Sequence, residues 1–389
     1  MKTKEAIIGF IKKYKIESIA VFIFSVLAAI AFDFENPKPR IWYDILAIVI
    51  FTAIGTFLVD KVFSVYENEI RQKLGEREKS FNVIKYSSYV VVVIVEYLLC
   101  RWGAHLMLGI YNTDSATFYI QNDKHQSIYA LVIASTIVTE MLLLIIIYFV
   151  IKEKELTLKE YSLGFFMNSI FVSISCLVVV IGIFVLYMIC EVLLGTIPYQ
   201  IISRIIVFIL TEIYSMGVFV AIENVSEKQG LFSKILVRYI MQIMVFIGFI
   251  IFYIYLIKII VKFELPSNQV FAVCATLFSM GLMTSLMSLG FNEESKYNTA
   301  IKFLPVIFIP ALILQIISLA LRIAQHGITT TRYVGIMILI FEIAYLVLYI
   351  LDEILKKEKV KLEKVLLIAC LLIFIACFVP MINMYGMKG

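Results

Sequence analysis

The chain of 389 residues is 62% hydrophobic and only 16% charged, whereas a soluble domain carries about 25% charged residues. A water-soluble core is therefore excluded as the main architecture. The formal charge of +5 does not indicate a nucleic-acid partner, because the basic residues lie between apolar blocks, as membrane topology requires.

The apolar residues form blocks of about 17 to 25 residues, the length that a helix needs to cross a bilayer. Strand-like alternation is absent, and a backbone in lipid must satisfy its own hydrogen bonds, so we expect an all-α, polytopic membrane helical bundle. About eleven transmembrane helices (ten to twelve) are predicted, at residues 16–32, 41–59, 86–108, 128–151, 163–186, 201–222, 235–257, 270–290, 303–324, 333–351 and 365–385.

No linker is long enough for a soluble domain, so a single transmembrane domain over 1–389 is expected. Its N-terminal helices occupy 1–230, a motif core follows over 231–351, and a basic loop with the last span occupies 352–389. Interfacial amphipathic helices are predicted near 1–15 and 60–82, where apolar residues recur at helical spacing among charged ones.

The orientation follows from the basic residues. With the N-terminus in the cytoplasm, 24 of the 34 Lys and Arg residues fall in inner segments and nine in outer ones, while Arg101 lies within a span. Because cytoplasmic loops carry the excess of Lys and Arg, we expect the N-terminus inside and the C-terminus outside.

Motifs of the common catalytic and metal centres are missing from the sequence. The six cysteines lie within apolar runs without CxxC spacing, and there are only three histidines. We therefore expect no metal and no cofactor. Because the phosphate-binding and zinc-protease motifs are also absent, no catalytic residue is assigned and a non-enzymatic protein is favoured.

One set of elements follows in a recognisable order: Tyr253 to Lys258, Glu264-Leu-Pro266, Phe303-Leu-Pro305, Pro310, and Arg322 through His326-Gly-Ile-Thr329 to Arg332-Tyr333. Over about Leu231–Leu351, the chain resembles the bacterial polytopic membrane family filed as domain of unknown function 4153. The resemblance implies a multi-pass protein of the bacterial cytoplasmic membrane, within the cell envelope, and brings no established activity.

Polar groups concentrate at the predicted outer face, in a cluster that comprises Lys258, Glu264, Arg322, His326, Thr329 and Arg332. One interpretation is a site for an anion or a lipid headgroup, formed by two guanidinium groups and a helix N-terminus. The other is a structural hairpin, in which Gly327 ends one helix in a left-handed conformation and a threonine caps the next. Ion pairs among Lys258, Glu264, Arg322 and Arg332 would then clamp two outer turns together.

Carboxylates within the apolar spans are the sharper signal. Glu96, Glu140, Glu212 and Glu342 each lie well inside a span, and Arg101 and His105 share a face of the third span. Burying a carboxylate in a membrane costs at least about 2.5 kcal/mol. The set indicates a polar pathway for a proton, a cation or a substrate, whereas the alternative is a group of neutral glutamates that join helices by hydrogen bonds.

Three functions fit these features. The first is a secondary transporter or permease-like protein that uses the mid-membrane carboxylates. The second is a non-catalytic membrane partner or sensor subunit, and the third is an enzyme of envelope lipid or polysaccharide metabolism with Glu264 as its base. The expected partners are the lipid bilayer and either phosphate headgroups of lipids or another membrane protein.

Overall fold

A computed structural model describes residues 2–32, 39–73, 78–111, 123–194, 198–225, 235–262, 270–291, 301–356, 361–380 and 382–385. Within these ranges all regular secondary structure is helical. The helices are α1 (Lys2–Lys13), α2 (Lys15–Ala31), α3 (Arg40–Lys73), α4 (Glu78–Tyr111), α5 (Asp123–Glu153), α6 (Leu158–Leu194), α7 (Tyr199–Glu223), α8 (Gln242–Lys262), α9 (Val270–Leu289), α10 (Leu304–Ile307), α11 (Ile309–His326), α12 (Thr330–Tyr349) and α13 (Lys364–Phe378). Two π-helical segments, Ile235–Met241 and Ile350–Ile354, precede α8 and follow α12.

Nine helical stretches in the described ranges are long and apolar enough to cross a membrane, which confirms the predicted all-α, multi-pass class. The predicted spans 16–32 and 365–385 correspond to α2 and α13, which are shorter, at 17 and 15 residues. The total of eleven spans and the orientation of the termini remain predictions.

The chain divides into two compact units. Unit 1 comprises Met1–Lys154 and Met167–Val225, and unit 2 comprises Glu155–Phe166 and Ser226–Gly389. The first residues of α6 belong to unit 2, and the rest of that helix belongs to unit 1. The single transmembrane domain expected from the sequence is neither supported nor contradicted by this division.

Helix α3 differs from the predicted division into a span and a separate interfacial helix. It runs without a break from Arg40 to Lys73, over 34 residues that extend about 50 Å. Val59 and Phe63 in its second half pack on Phe81 of α4, with 5.5 Å between the two phenylalanine rings. The apolar stripe therefore continues past the predicted membrane boundary, because hydropathy marks where a helix leaves the bilayer and not where the helix ends. The interfacial location predicted for this segment and for α1 is not tested.

Aromatic rings fill the region of unit 1 where α1, α3 and α7 meet. Phe57 of α3 lies 5.0 Å from Tyr14 and 5.2 Å from Phe219 of α7, and Phe10 of α1 lies 6.0 Å from Phe57, measured between ring centroids. All four rings are buried. Such packing buries a large apolar area, and it fixes the end of α1 beside the polar cluster described below.

A smaller aromatic group lies in unit 2. The ring of Phe278 in α9 lies 4.7 Å from that of Phe308, which precedes α11, and 5.7 Å from that of Tyr345 in α12. These contacts hold three helices together at the level of Tyr345. One turn earlier on α12, the same packing places Glu342 inside the unit.

Candidate functional site

The four glutamates predicted at mid-span have different surroundings. Each lies near the middle of its helix, but only Glu96 and Glu342 are buried, with 3% and 1% of their surface exposed. Glu212 is half-buried, and Glu140 is exposed on α5. The structure therefore separates Glu140 from the buried pair, and its place in a pathway is an expectation that burial does not support.

Glu96 projects from α4 onto the backbone of α3. A Cβ atom on Gly55 would lie 2.8 Å from its Oε1 and 2.9 Å from its Oε2, so glycine provides the space that the carboxyl group occupies. Neither oxygen has a hydrogen-bond partner in the described part of the chain. A carboxyl group in this position is much less costly when it is protonated and neutral.

Glu342 lies between α11 and α12. Its Oε1 accepts a hydrogen bond of 3.4 Å from Nε2 of Gln315, and Gln315 is itself completely buried. The other carboxyl oxygen, Oε2, has no partner among the described residues. An amide offers no compensating charge, so this site also favours a neutral carboxyl group over an ionised one.

The remaining pathway candidates in unit 1 contact residues other than Glu96 in the described part of the chain. Glu212 of α7 lies beside Ser25 of α2. Arg101 is exposed, and its Nη1 lies 3.4 Å from Oδ1 of Asp44. His105 is exposed beside Trp102. The structure therefore does not bring Arg101 or His105 to a buried carboxylate.

A buried ammonium group, that of Lys61, lies at the centre of a charged cluster in unit 1. Only 1% of its side chain is exposed. Its Nζ lies 2.7 Å from Oε2 of Glu153 at the end of α5, and it also contacts the carboxylate of Glu223 at the end of α7. Ser64 of α3 donates a hydrogen bond of 2.7 Å to Oε1 of Glu153. Lys61 thus links the ends of two helices to the middle of α3.

Three further groups converge on Glu223. Lys13 lies 2.7 Å from its Oε1, Tyr14 donates a 3.0 Å hydrogen bond to the same oxygen, and Lys154 donates to its backbone carbonyl. Burial and the neighbouring Glu223 carboxylate raise the pKa of the Tyr14 hydroxyl, and burial lowers the pKa of Lys154. The lysines also offset the partial negative charge at the C-terminus of α7.

A second charged cluster lies in unit 2. Lys159, in the first turn of α6, contacts the carboxylate of Glu353, and Nζ of Lys302 lies 2.8 Å from Oε1 of the same residue. Asp352 lies 3.9 Å from Lys159. Two lysines therefore share one glutamate just beyond α12.

Sequence reasoning assigned none of the residues at the centres of these clusters. It counted Lys61 among the basic residues of an inner polar segment and gave no role to Glu153, Glu223 or Glu353. One signal was available, since each of these charges directly follows an apolar run on the same predicted side of the membrane. Their pairing across helices that are distant in sequence could not be read from spacing.

The outer turn between α11 and α12 has the features of a hairpin that is held by its own backbone. Nη1 of Arg332 donates hydrogen bonds of 3.1 Å and 2.7 Å to the carbonyls of His326 and Gly327. Gly327 ends α11 with φ 73° and ψ −172°, a conformation that glycine alone adopts readily, although it is not the expected left-handed helical one. Thr329 occupies the N-cap position of α12 without a capping hydrogen bond from its side chain.

The other members of the outer-face cluster are less informative. Lys258 is exposed and Arg322 is half-buried. Glu264 lies outside the described residues. The proposed anion site and the proposed clamp are therefore untested, while the contacts of Arg332 favour a structural role for that residue.

Comparisons with known proteins identify the family. A search of curated proteins and a search of solved structures each found no match. A family model described as "Domain of unknown function (DUF4153)" matches residues 19–387, a much longer range than the 231–351 over which the sequence motifs showed the resemblance. Because this match covers nearly the whole chain, this multi-pass helical protein belongs to the DUF4153 family.

Proposed function

We propose that the protein is a proton-linked secondary transporter. In this proposal the carboxyl groups of Glu96 and Glu342 each take up and release a proton as solute crosses the membrane. One observation supports this proposal above the others: two mid-helix carboxyl groups are buried against neighbouring helices without a cationic partner in the described structure.

The energetic argument rests on where the two carboxyl groups lie. A glutamate that faces lipid can extend toward the interface, whereas Glu96 and Glu342 are enclosed by α3 and by Gln315 of α11. Each ionisation would place a charge in a medium of low dielectric constant, at a cost of at least about 2.5 kcal/mol. Loss or gain of a proton therefore changes the relative stability of helix arrangements, which is the property that proton coupling requires.

The test uses the full chain in proteoliposomes under an imposed pH gradient, with an internal pH-sensitive dye. Amino acids, sugars and organic anions are added in separate experiments. We expect proton movement that depends on one solute class, and we expect Glu96→Gln or Glu342→Gln to lower its rate by at least about tenfold. Glu140→Gln is the matched control, because Glu140 occupies the same depth of a helix but is exposed.

The other two functions are separate outcomes. If no solute produces proton movement by a folded protein, and a stoichiometric membrane protein is purified with it, the partner or sensor function replaces transport. The enzyme hypothesis depends on Glu264 and on the guanidinium groups of the outer turn. Because Arg332 is engaged with backbone carbonyls, no contact in the described structure favours that hypothesis.

A further inference from the structure

Polar side chains form a continuous stripe along one face of α12 and the π-helical segment after it. The stripe runs from Glu342 through Tyr345 and Tyr349 to Glu353, residues that are spaced three or four apart and therefore share a face. It covers about 16 Å along the helix axis. Tyr345 and Tyr349 are both completely buried, so the stripe lies inside unit 2.

Neighbouring helices supply further polar groups along the stripe. The Cys274 thiol of α9 is close enough to Glu342 for electrostatic interaction, and Gln315 of α11 contacts the same carboxyl group. Near the other end, the Ser285 hydroxyl of α9 lies beside Tyr349, whose own hydroxyl donates a 3.1 Å hydrogen bond to the carbonyl of Lys302. The stripe is therefore faced by polar groups at both ends.

Several of these polar atoms are enclosed but have no hydrogen-bond partner in the described part of unit 2. They are Glu342 Oε2, Gln315 Oε1, Ser318 Oγ, Tyr345 Oη and Thr284 Oγ1. Buried polar groups are almost always hydrogen-bonded, to protein or to ordered water. Five such atoms without protein partners, on three packed helices, are the kind of group to which internal water molecules bind.

We propose that these residues enclose a column of water that conducts protons between Glu342 and Glu353. This inference rests on the proposed function, and it identifies the route by which one of the two buried carboxyl groups is reached. Glu353, held by Lys159 and Lys302, lies at the end of the stripe that leads out of the helix bundle.

Proton movement along the column leaves each intermediate water molecule and hydroxyl group in its original protonation state. A proton from the solvent at Glu353 passes to a water molecule, and each following water or tyrosine hydroxyl accepts one proton on its oxygen and releases another. Tyr349 releases its proton by breaking its hydrogen bond to the Lys302 carbonyl, and that bond forms again with the proton that it has accepted. The Glu342 carboxylate accepts the last proton and becomes neutral. Tyr345, with no competing partner, is the hydroxyl nearest to Glu342 along the stripe, so its loss interrupts the route.

The test measures hydrogen–deuterium exchange of the Glu342 carboxyl group by infrared spectroscopy on the full-length protein in lipid. The carbonyl band of protonated Glu342 is assigned by its disappearance in Glu342→Gln. After a change from H₂O to D₂O, we expect Tyr345→Phe and Tyr349→Phe to slow the shift of this band by at least about tenfold. Tyr333→Phe is the control, because Tyr333 is buried on the opposite face of α12, before Glu342, and its hydroxyl also has no partner among the described residues.

Two results would overturn the column. One is exchange in Tyr345→Phe and Tyr349→Phe that is as fast as in the unmodified protein, and the other is the absence of any protonated Glu342 band. Thermal unfolding of each variant identifies a folding defect, and the two tyrosine variants are independent of one another. If exchange follows the expectation but no solute-dependent proton movement occurs in proteoliposomes, the column stands and the transport function fails.

Discussion

The ammonium group of Lys61 has lost nearly all contact with solvent, and its surroundings must replace the hydration energy. Moving a charged group out of water costs several kcal/mol unless opposite charges and hydrogen bonds are well placed. The carboxylates of Glu153 and Glu223 provide that compensation, and each has a second polar contact, with Ser64 and Tyr14 respectively. Lys61 is therefore a point where one substitution leaves two carboxylates with inadequate compensation.

We predict that Lys61→Met destabilises the protein strongly. Removing one partner of a buried ion pair costs about 3–5 kcal/mol, which corresponds to a decrease on the order of 10 °C in the melting temperature. Thermal unfolding in detergent measures this change. Neutralising both glutamates in the same variant, with Glu153→Gln and Glu223→Gln, should restore much of the loss, because the two carboxylates that lose the buried ammonium group are then neutral and the remaining Lys13 is largely exposed.

Lys13→Met is the control for Lys61→Met. Lys13 contacts the same carboxylate of Glu223, but 56% of its side chain is exposed, and exposed ion pairs contribute about 1 kcal/mol or less. Equal melting temperatures for the two variants would contradict the role assigned to Lys61.

The buried glutamates and the buried lysine differ in how far the sequence predicts them. Glu96 and Glu342 interrupt long apolar runs, so a carboxylate inside a span could be recognised from its neighbours alone. Lys61 stands at the end of such a run, where a lysine is normally assigned to the interface. Its burial depends on Glu153 and Glu223 at the ends of α5 and α7, which are 92 and 162 residues away along the chain. A local sequence pattern cannot predict contacts between residues that are so far apart in the sequence.

At the scale of helices, the crossing of α6 and α7 depends on a glycine. A Cβ atom on Gly217 of α7 would lie 2.5 Å and 2.9 Å from the two methyl groups of Val172 on α6. Real Cβ contacts are longer, and the branched side chain of valine has few rotamers that could relieve the overlap. The two helices approach this closely only because residue 217 has no side chain.

We predict that Gly217→Ala destabilises the protein by about 1–3 kcal/mol, the usual effect of adding volume to a packed interface. Val172→Ala in the same chain removes the overlapping methyl groups and should recover part of the stability. Melting temperatures of the two single variants and the double variant measure this coupling.

Gly182→Ala on α6 tests whether the effect belongs to the crossing. A Cβ on Gly182 would meet no atom within 4 Å, so this substitution should be neutral or stabilise the helix by up to about 1 kcal/mol. Equal changes in the melting temperatures of Gly217→Ala and Gly182→Ala would contradict the role assigned to Gly217 in the crossing of α6 and α7.

Helix boundaries were less predictable than helix positions. Hydropathy located the spans, but it divided α3 near Val59, where the helix continues to Lys73. At the outer turn, Gly327 could be identified as a helix end from its residue type, whereas its backbone angles and the engagement of Arg332 with two carbonyls depend on how the turn closes. A hydropathy profile predicts where a helix leaves the membrane, but it does not predict the hydrogen bonds that determine where the helix ends.

At the scale of the whole molecule, contacts between distant residues constrain the topology of unit 1. Lys61 contacts Glu153, so both lie at the same depth, and the chain between them crosses the membrane an even number of times through α4 and α5. Lys13 and Lys61 both contact Glu223, so these two lysines also lie at the same depth. The segment between them, which consists of α2 and the first half of α3, should therefore also cross the membrane an even number of times. We therefore predict that α2 crosses the membrane as well; its 17 residues extend about 25 Å.

Contacts within unit 2 have the same consequence. The side chain of Gln242, in the first turn of α8, donates a 2.8 Å hydrogen bond to Ser288 near the end of α9, so these helices form one hairpin. Lys302 contacts Glu353, so α11 and α12 form another. In each case the contact joins chain ends that the distribution of basic residues assigns to the cytoplasm.

These contacts, together with the excess of basic residues, predict where reporters inserted in unit 1 will be found. A reporter after Lys154 should be cytoplasmic, because Lys154 belongs to the cluster around Glu223. A reporter after Ser127, at the opposite end of α5, should be outside. Paired enzyme reporters that are active on only one side of the membrane measure both positions. A cytoplasmic reporter after Ser127 would contradict the predicted orientation. If both reporters were found on the same side, the predicted crossing of α5 would be wrong. The depth that this topology assigns to Lys61 would then be wrong as well.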